Sequence, residues 1–180
     1  MSEECKTRLR VQEIIRKNIL SMLDAMNMSG WDVMEFAQAN FQKADKVILL
    51  NCIRTERVGW QDTQYSVSTV GLDGTDSWIE QQTWQIHVIL KRKGKETTDD
   101  ILSEDMSSYL MTWFNGRGCD LFRDNGMANL RIDHDNLLLY NDDSDLYQKR
   151  AVFSLKVQIP KMLKFKQDSI DALLPKIKPV

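Results

Sequence analysis

Histidine and cysteine are scarce in this chain, and their scarcity removes whole classes of chemistry. Its 180 residues hold two histidines and three cysteines, Cys5, Cys52 and Cys119. No two cysteines stand in a C-x-x-C spacing, so neither a zinc knuckle nor a thioredoxin-like motif can be read. Cys52 falls in an apolar stretch and reads as a small core residue, and widely spaced thiols suit a reducing cytoplasm. None of the eight glycines forms G-x-G-x-x-G, G-x-x-x-x-G-K-[ST] or G-x-S-x-G. The usual phosphate cradles and the hydrolase nucleophile turn are therefore absent. Apolar runs reach only about four residues, against the roughly 18 of a membrane span. The opening MSEECKTRLR lacks the apolar stretch of a secretory leader. A soluble protein with no membrane partner is expected. Nor does one sign of charge dominate: 24 Lys and Arg against 26 Asp and Glu leave a formal net charge of -2. Nucleic-acid-binding domains are usually strongly basic, so at most transient, non-specific DNA contact is expected.

What is present is enough apolar material for one core. Hydrophobic residues make up 42% of a length that suits a single domain. Val11, Ile14, Ile15, Ile19, Met22, Leu23 and Met26 recur at helical spacing, interrupted only by Asn18, and Gly30 offers a cap. Residues 31–41 settle into no single period and read as a loop or a short helix. A strand is expected over 46–58, ending in Arg54-Thr55-Glu56-Arg57 and Gly59. A further short strand or arm is expected over 65–70, and Gly71-Leu72-Asp73-Gly74 has turn composition. A long strand follows over 77–93. Thr97 or Thr98 then caps a helix whose buried stripe reads Leu102, Met106, Tyr109, Leu110 and Trp113, with Gly116 and Gly118 as its stop. Two short extended runs, 129–133 and 136–140, precede an acidic loop over 141–145. The last strand, 150–160, alternates most cleanly: Ala151, Phe153, Leu155, Val157 and Ile159 share one face. The order helix, strands, helix, strands predicts an α+β fold, a single domain with an antiparallel sheet flanked by helices. That domain is expected over 1–160, with an extended arm near 59–78. Residues 161–180 read as a lysine-rich tail that docks or frays.

Searching this layout for a site yields more polar surface than chemistry. Asp133-His134-Asp135 alternate sides in a strand and would not share one metal without an irregular backbone. Counting Asn141 as the first position of a calcium loop puts Leu146 where a glycine is needed and Val152 where a bidentate glutamate is needed. His87 sits within a strand with no acid or nucleophile beside it. No catalytic residue, metal or cofactor is therefore expected. In the long strand, Trp84, Ile86, Val88 and Leu90 form one face, and Gln81, Thr83, Gln85 and His87 the other. Trp60 and Trp78 bracket the arm, as interface tryptophans do. Lys91, Arg92, Lys93 and Lys95 are either a solvated turn guarding a sheet edge or a phosphate-contacting patch.

The layout then carries more than any motif. An amphipathic first helix leads to a strand ending in Arg57-Val58-Gly59-Trp60-Gln61. A Gln-rich strand follows, Glu80-Gln81-Gln82-Thr83-Trp84-Gln85-Ile86-His87-Val88. A helix, an Asn-Gly turn and the late strand Ala151-Val152-Phe153-Ser154-Leu155-Lys156-Val157 complete it. This resembles the tail-terminator (neck) proteins of tailed bacteriophages, from Thr7 to Ile159. The resemblance implies an α+β subunit in a homo-oligomeric, six-fold ring. That ring caps the tail tube, ends its polymerisation and joins the tail to the head connector. It implies a non-enzymatic virion protein of the neck and tail, made in the bacterial host cytoplasm. Its partners would be the tail tube protein and the connector or stopper. The Gln81, Thr83, Gln85 and His87 face would meet a neighbouring subunit, the ring lumen or the tube. The extended segment between Trp60 and Trp78 and the lysine-rich end depart from a simple member. A head–tail adaptor or stopper is the nearest alternative. A small enzyme using His87 and His134, and a DNA-contacting module, are the others.

Overall fold

The computed structural model describes residues 3–35, 45–68, 71–91, 102–134, 138–141 and 147–167. The first helix, α1 (Glu3–Ala25), turns Val11, Ile14, Ile15, Ile19, Met22 and Leu23 into the core, as their spacing requires. Its stop is set by Asn27, not Gly30. Asn27 takes a left-handed backbone (φ 53°), its N–H donates to Asp24 O at 3.1 Å, and the Met28 N–H reaches back to Leu23 O at 2.8 Å. These paired bonds close a Schellman cap. Met26 lies past the helix and is exposed.

The helix or loop expected after Trp31 is instead a short strand, β1 (Asp32–Glu35). It runs parallel to the start of β2 (Lys46–Ser68), pairing Val33 with Ile48. β3 (Gly71–Lys91) and β6 (Tyr147–Gln167) extend the sheet, each antiparallel to its neighbour. Between them in the chain come α2 (Ser103–Asn115), α3 (Gly118–Asp124), β4 (Ala128–His134) and β5 (Leu138–Asn141). The sheet has six strands in the order β1-β2-β3-β6-β4, and β5 continues along β6 beside β4. The fold is α+β, a single sheet with helices in one domain. Among the described residues no helix is long and apolar enough to cross a membrane.

Several element limits differ from expectation for one reason. β2 does not end at Val58, Gly71–Gly74 is not a turn but the start of β3, and β6 does not stop at Pro160. All three corrections lie in the same part of the sheet, which among the described residues adds almost nothing to the core packed by the helices. Pro160 is tolerated there because the last β4 pairing is Ala128 with Gln158. Beyond it β6 is an edge strand, and an edge can spare an N–H. α2 is rotated from its expected stripe: Met106, Leu110 and Phe114 are buried, while Tyr109 faces outward. Gly118 opens α3 rather than closing α2. A side chain there would lie 2.9 Å from Trp113 O and 3.0 Å from Asn18 Oδ1, so only glycine allows this approach.

One core fills the space between the helices and the near half of the sheet. Ile48, Leu50, Trp84, Ile86, Val88, Phe153, Leu155 and Val157 meet α1, α2 and α3 there. On the opposite face Val47, Leu49 and Ile89 form a smaller cluster with Met34 against it.

Candidate assembly surface

The three long strands run on past this core. Beyond Leu50, β2 has β3 as its only neighbour among the described residues, and beyond Gln158 the same is true of β6. What remains is a three-stranded ribbon, the arm, made of residues 53–68, 71–80 and 160–167. At about 3.3 Å per residue its ten β3 residues reach roughly 30 Å. Register shifts at Cys52/Arg54 and Val58/Asp62 mark β-bulges in β2. Gly59 sits in the second with φ 81°, a left-handed backbone that favours glycine.

A buried polar ladder marks the boundary between core and arm. Along the helix-facing side of β3, Trp84 Nε1 donates to Gln82 Oε1 at 3.1 Å, and Gln82 Nε2 donates to Glu80 Oε1 at 2.8 Å. The other Glu80 oxygen lies 3.8 Å from Lys161 Nζ. Glu80 is only 8% exposed. A carboxylate survives such burial because both its oxygens face donors. One step further out, the Arg57 guanidinium lies 4.6 Å from the Trp78 ring centroid, a cation–π contact. Further still, Tyr65 and Phe165 meet edge to face at 6.2 Å across Gly74. A Cβ at Gly74 would enter the Phe165 ring, so the glycine makes that contact possible.

The opposite face of the strands carries cross-strand rows. Arg54, Thr83 and Lys156 are in register, and Lys156 Nζ binds Asp133 Oδ2 at 2.9 Å. Next come Glu56, Gln81 and Gln158: Gln81 donates to Glu56 at 3.1 Å, and Gln158 donates to Gln81 at 3.5 Å. Then the row turns apolar, with Val58, Ile79 and Pro160 in register and Met162 just beyond. Of the ten large exposed hydrophobic side chains among the described residues, six stand on the arm: Ile53, Trp60, Tyr65, Ile79, Met162 and Leu163. Trp60, lifted by the second bulge, is 97% exposed.

The residues singled out in the sequence divide accordingly. Trp60 is bare, whereas Trp78 is half-buried under Arg57. Gln81 and Gln85 are half-buried on the face opposite Trp84 and Ile86. Thr83 and His87 on that face are only 7% and 5% exposed within one chain. His87 lies in register between the buried Leu49 and Val152. Lys91 ends β3, and Arg92, Lys93 and Lys95 fall outside the described residues, as does the acidic loop over 142–145. Gln82 and Glu80 were missed. They share the parity of Trp84, Ile86 and Val88, so extending that alternation two steps toward the N-terminus would have placed them on the core side. Ile79 and Met162 carry no signal until register brings them together.

Little here resembles a reaction centre. Burial pushes the Cys52 thiol up from its ordinary value, more than the Thr55 hydroxyl and Arg8 pull it down. A raised thiol is a poor nucleophile. A groove of about 360 Å³ between α1 and β1 is lined by Gln12, Arg16, Trp31 and Glu35 among others. Among the described residues no group of three or more His, Cys, Asp or Glu is arranged to hold a metal ion. The arm is thus the feature for which the fold itself gives no internal use. None of the curated proteins searched matches the chain. A family model does, that of the E217 gateway protein gp29, over residues 10–168, from the buried face of α1 to the outer end of the arm. The protein therefore belongs to that gateway family, structural proteins of the bacteriophage virion that act in head–tail joining.

Proposed function

We propose that this chain forms a closed ring at the head–tail joint, and that the ring caps the tail tube, ends its growth and presents the finished tail to the head connector. The observation that carries this reading is the arm: a ribbon roughly 30 Å long with six large apolar side chains in solvent. A three-stranded ribbon with so few packed side chains is marginal on its own in water, and such a surface is ordinarily covered in an assembly. Identical subunits making one repeated, non-self-complementary contact close into a ring when the rotation allows, and six-fold closure is the expectation. The proposed partners are further copies of the chain, the tail tube protein and the connector. DNA passes through such a joint, so its contact with the ring is transient and non-specific. The reading assigns no catalytic step and no cofactor.

Deleting the gene separates this reading from its nearest rival. A tail-capping ring predicts lysates with tails of uncontrolled length, or finished tails that never join heads, by negative-stain imaging. A head-side adaptor or stopper predicts normal tails beside heads that lose their DNA. Normal tails on full heads would overturn both.

A further inference from the structure

Among the described residues the arm has two open edges, and they differ. On one side β2 from Val58 to Ser68 carries a single charge, Asp62, and no proline or lysine to guard it. On the other, β6 from Ile159 to Gln167 carries Pro160 and three lysines, Lys161, Lys164 and Lys166, and no acid, so it repels a copy of itself but not an acidic or neutral strand. An unprotected edge is a template for another strand, and proteins that must stay apart blunt such edges with lysine, proline, bulges or extreme shortness. The β2 edge is bulged once, around Gly59, and beyond that bulge the seven residues from Asp62 to Ser68 carry neither lysine nor proline. Three strands are too few to curl round and join their own edges.

We propose that the β2 edge of one arm pairs with the β6 edge of the arm of a second copy, so that the arms make one continuous sheet around the assembly. This rests on the ring reading above and names the contact that closes the ring. Three observations fit that occupant. The two edges are complementary in charge, one slightly acidic and the other wholly basic. Both run antiparallel to β3, hence in the same direction, and Gln64, Thr75 and Lys164 are level across the ribbon. Neighbouring arms pointing the same way would therefore meet in a parallel ladder, Asp62 and Gln64 of one copy beside Lys164 of the next. The fully exposed Trp60 stands on the β2 edge strand, where lysine stems and Met162 of the neighbour offer cation–π and apolar cover. The contact joins unlike surfaces, which is the geometry that generates rings.

The test reverses the edges separately and together. One full-length variant carries Lys164→Glu and Lys166→Glu, a second carries Asp62→Lys and Gln64→Lys, and a third carries all four. Ring formation is measured by mass in solution and by imaging, alone and on tails from a lysate lacking this gene. Each single-edge variant should form rings at least about tenfold less readily, because like charges then face each other. The four-fold variant should recover to near the wild type, which no loss of subunit stability would produce. Rings from all variants alike, or no recovery in the four-fold variant, overturn the edge pairing and leave the ring reading standing. Absence of rings with the wild type in both settings overturns the ring reading itself. Should a charge variant fail to fold, Gln64→Cys with Lys164→Cys replaces it. A short bifunctional maleimide should then give a ladder of covalent oligomers in assembled material, and cross-linking confined to single chains would refute the pairing.

Discussion

The same three strands live two different lives in this molecule. From Val47 to Cys52, Trp84 to Leu90 and Ala151 to Ile159 they lie under three helices, and most of their side chains are buried. From there to Ser68, Gly71 and Gln167 they keep the same hydrogen-bonded ladders but, among the described residues, add no side chain to the core packed by the helices. Backbone pairing is common to both halves, so it does not explain the difference between them. What distinguishes the near half is apolar area removed from water, worth about 25 cal/mol per Å². The far half keeps its shape with a few specific contacts: Arg57 on Trp78, Tyr65 against Phe165, and Thr63 Oγ1 donating to Asp76 at 2.7 Å. Its remaining large apolar side chains, Trp60 among them, stand exposed.

The largest test of this contrast lies in the near half. Phe153 is fully buried and packs against Phe114 at 6.3 Å between ring centroids. Phe153→Ala should cost about 3–5 kcal/mol in urea unfolding, through lost transfer energy and the cavity left behind. A cost below about 1 kcal/mol would mean that the helices do not clamp the sheet there. At the boundary, Gln82→Met keeps the volume but removes both bonds of the ladder, leaving Trp84 Nε1 and one Glu80 oxygen without Gln82. The expected loss is about 1–3 kcal/mol, the cost of stranding buried polar atoms. Hydrogen exchange should also rise in the arm more than in α1. Equal protection in both variants and the wild type would show that the ladder does not anchor the arm.

How much of this was legible in the sequence follows the same division. Where a helix layer buries one side, burial writes a period into the residues. Hence α1, the near halves of β3 and β6, and the α+β class could all be read. The arm buries few apolar side chains on either face, so little forces alternation, and Arg54-Thr55-Glu56-Arg57 and Gly59 looked like the end of a strand. The first bulge shifts parity on top of that, and the second inserts two more residues. Pro160 looked like a stop because sequence does not show that β6 has become an edge. Within the candidate surface, Trp60 stood out by type alone. Thr83 and His87 were placed on the correct face, but their burial was not visible, because it depends on partners brought by register. The virion class was carried by layout. Which end of the joint the protein occupies is written in contacts between chains, which no single chain's pattern records.

The smallest expected change in folding belongs to the residue with the largest expected role in assembly. Trp60 is 97% exposed and sits beside a glycine that already fixes the local backbone. It has almost no packing to lose within the chain, so Trp60→Ala should shift subunit stability by less than about 0.5 kcal/mol, the range of ordinary surface substitutions. An exposed tryptophan at an interface centre typically contributes about 2 kcal/mol or more, roughly thirtyfold in affinity per contact. Around a closed ring the loss recurs at every junction. The two halves of the prediction pull apart cleanly: unchanged thermal unfolding of the subunit, with strongly reduced incorporation into tails. A large drop in melting temperature would place Trp60 inside the fold of the single chain. Normal incorporation would mean that water, not another copy, covers the most exposed aromatic side chain of the arm.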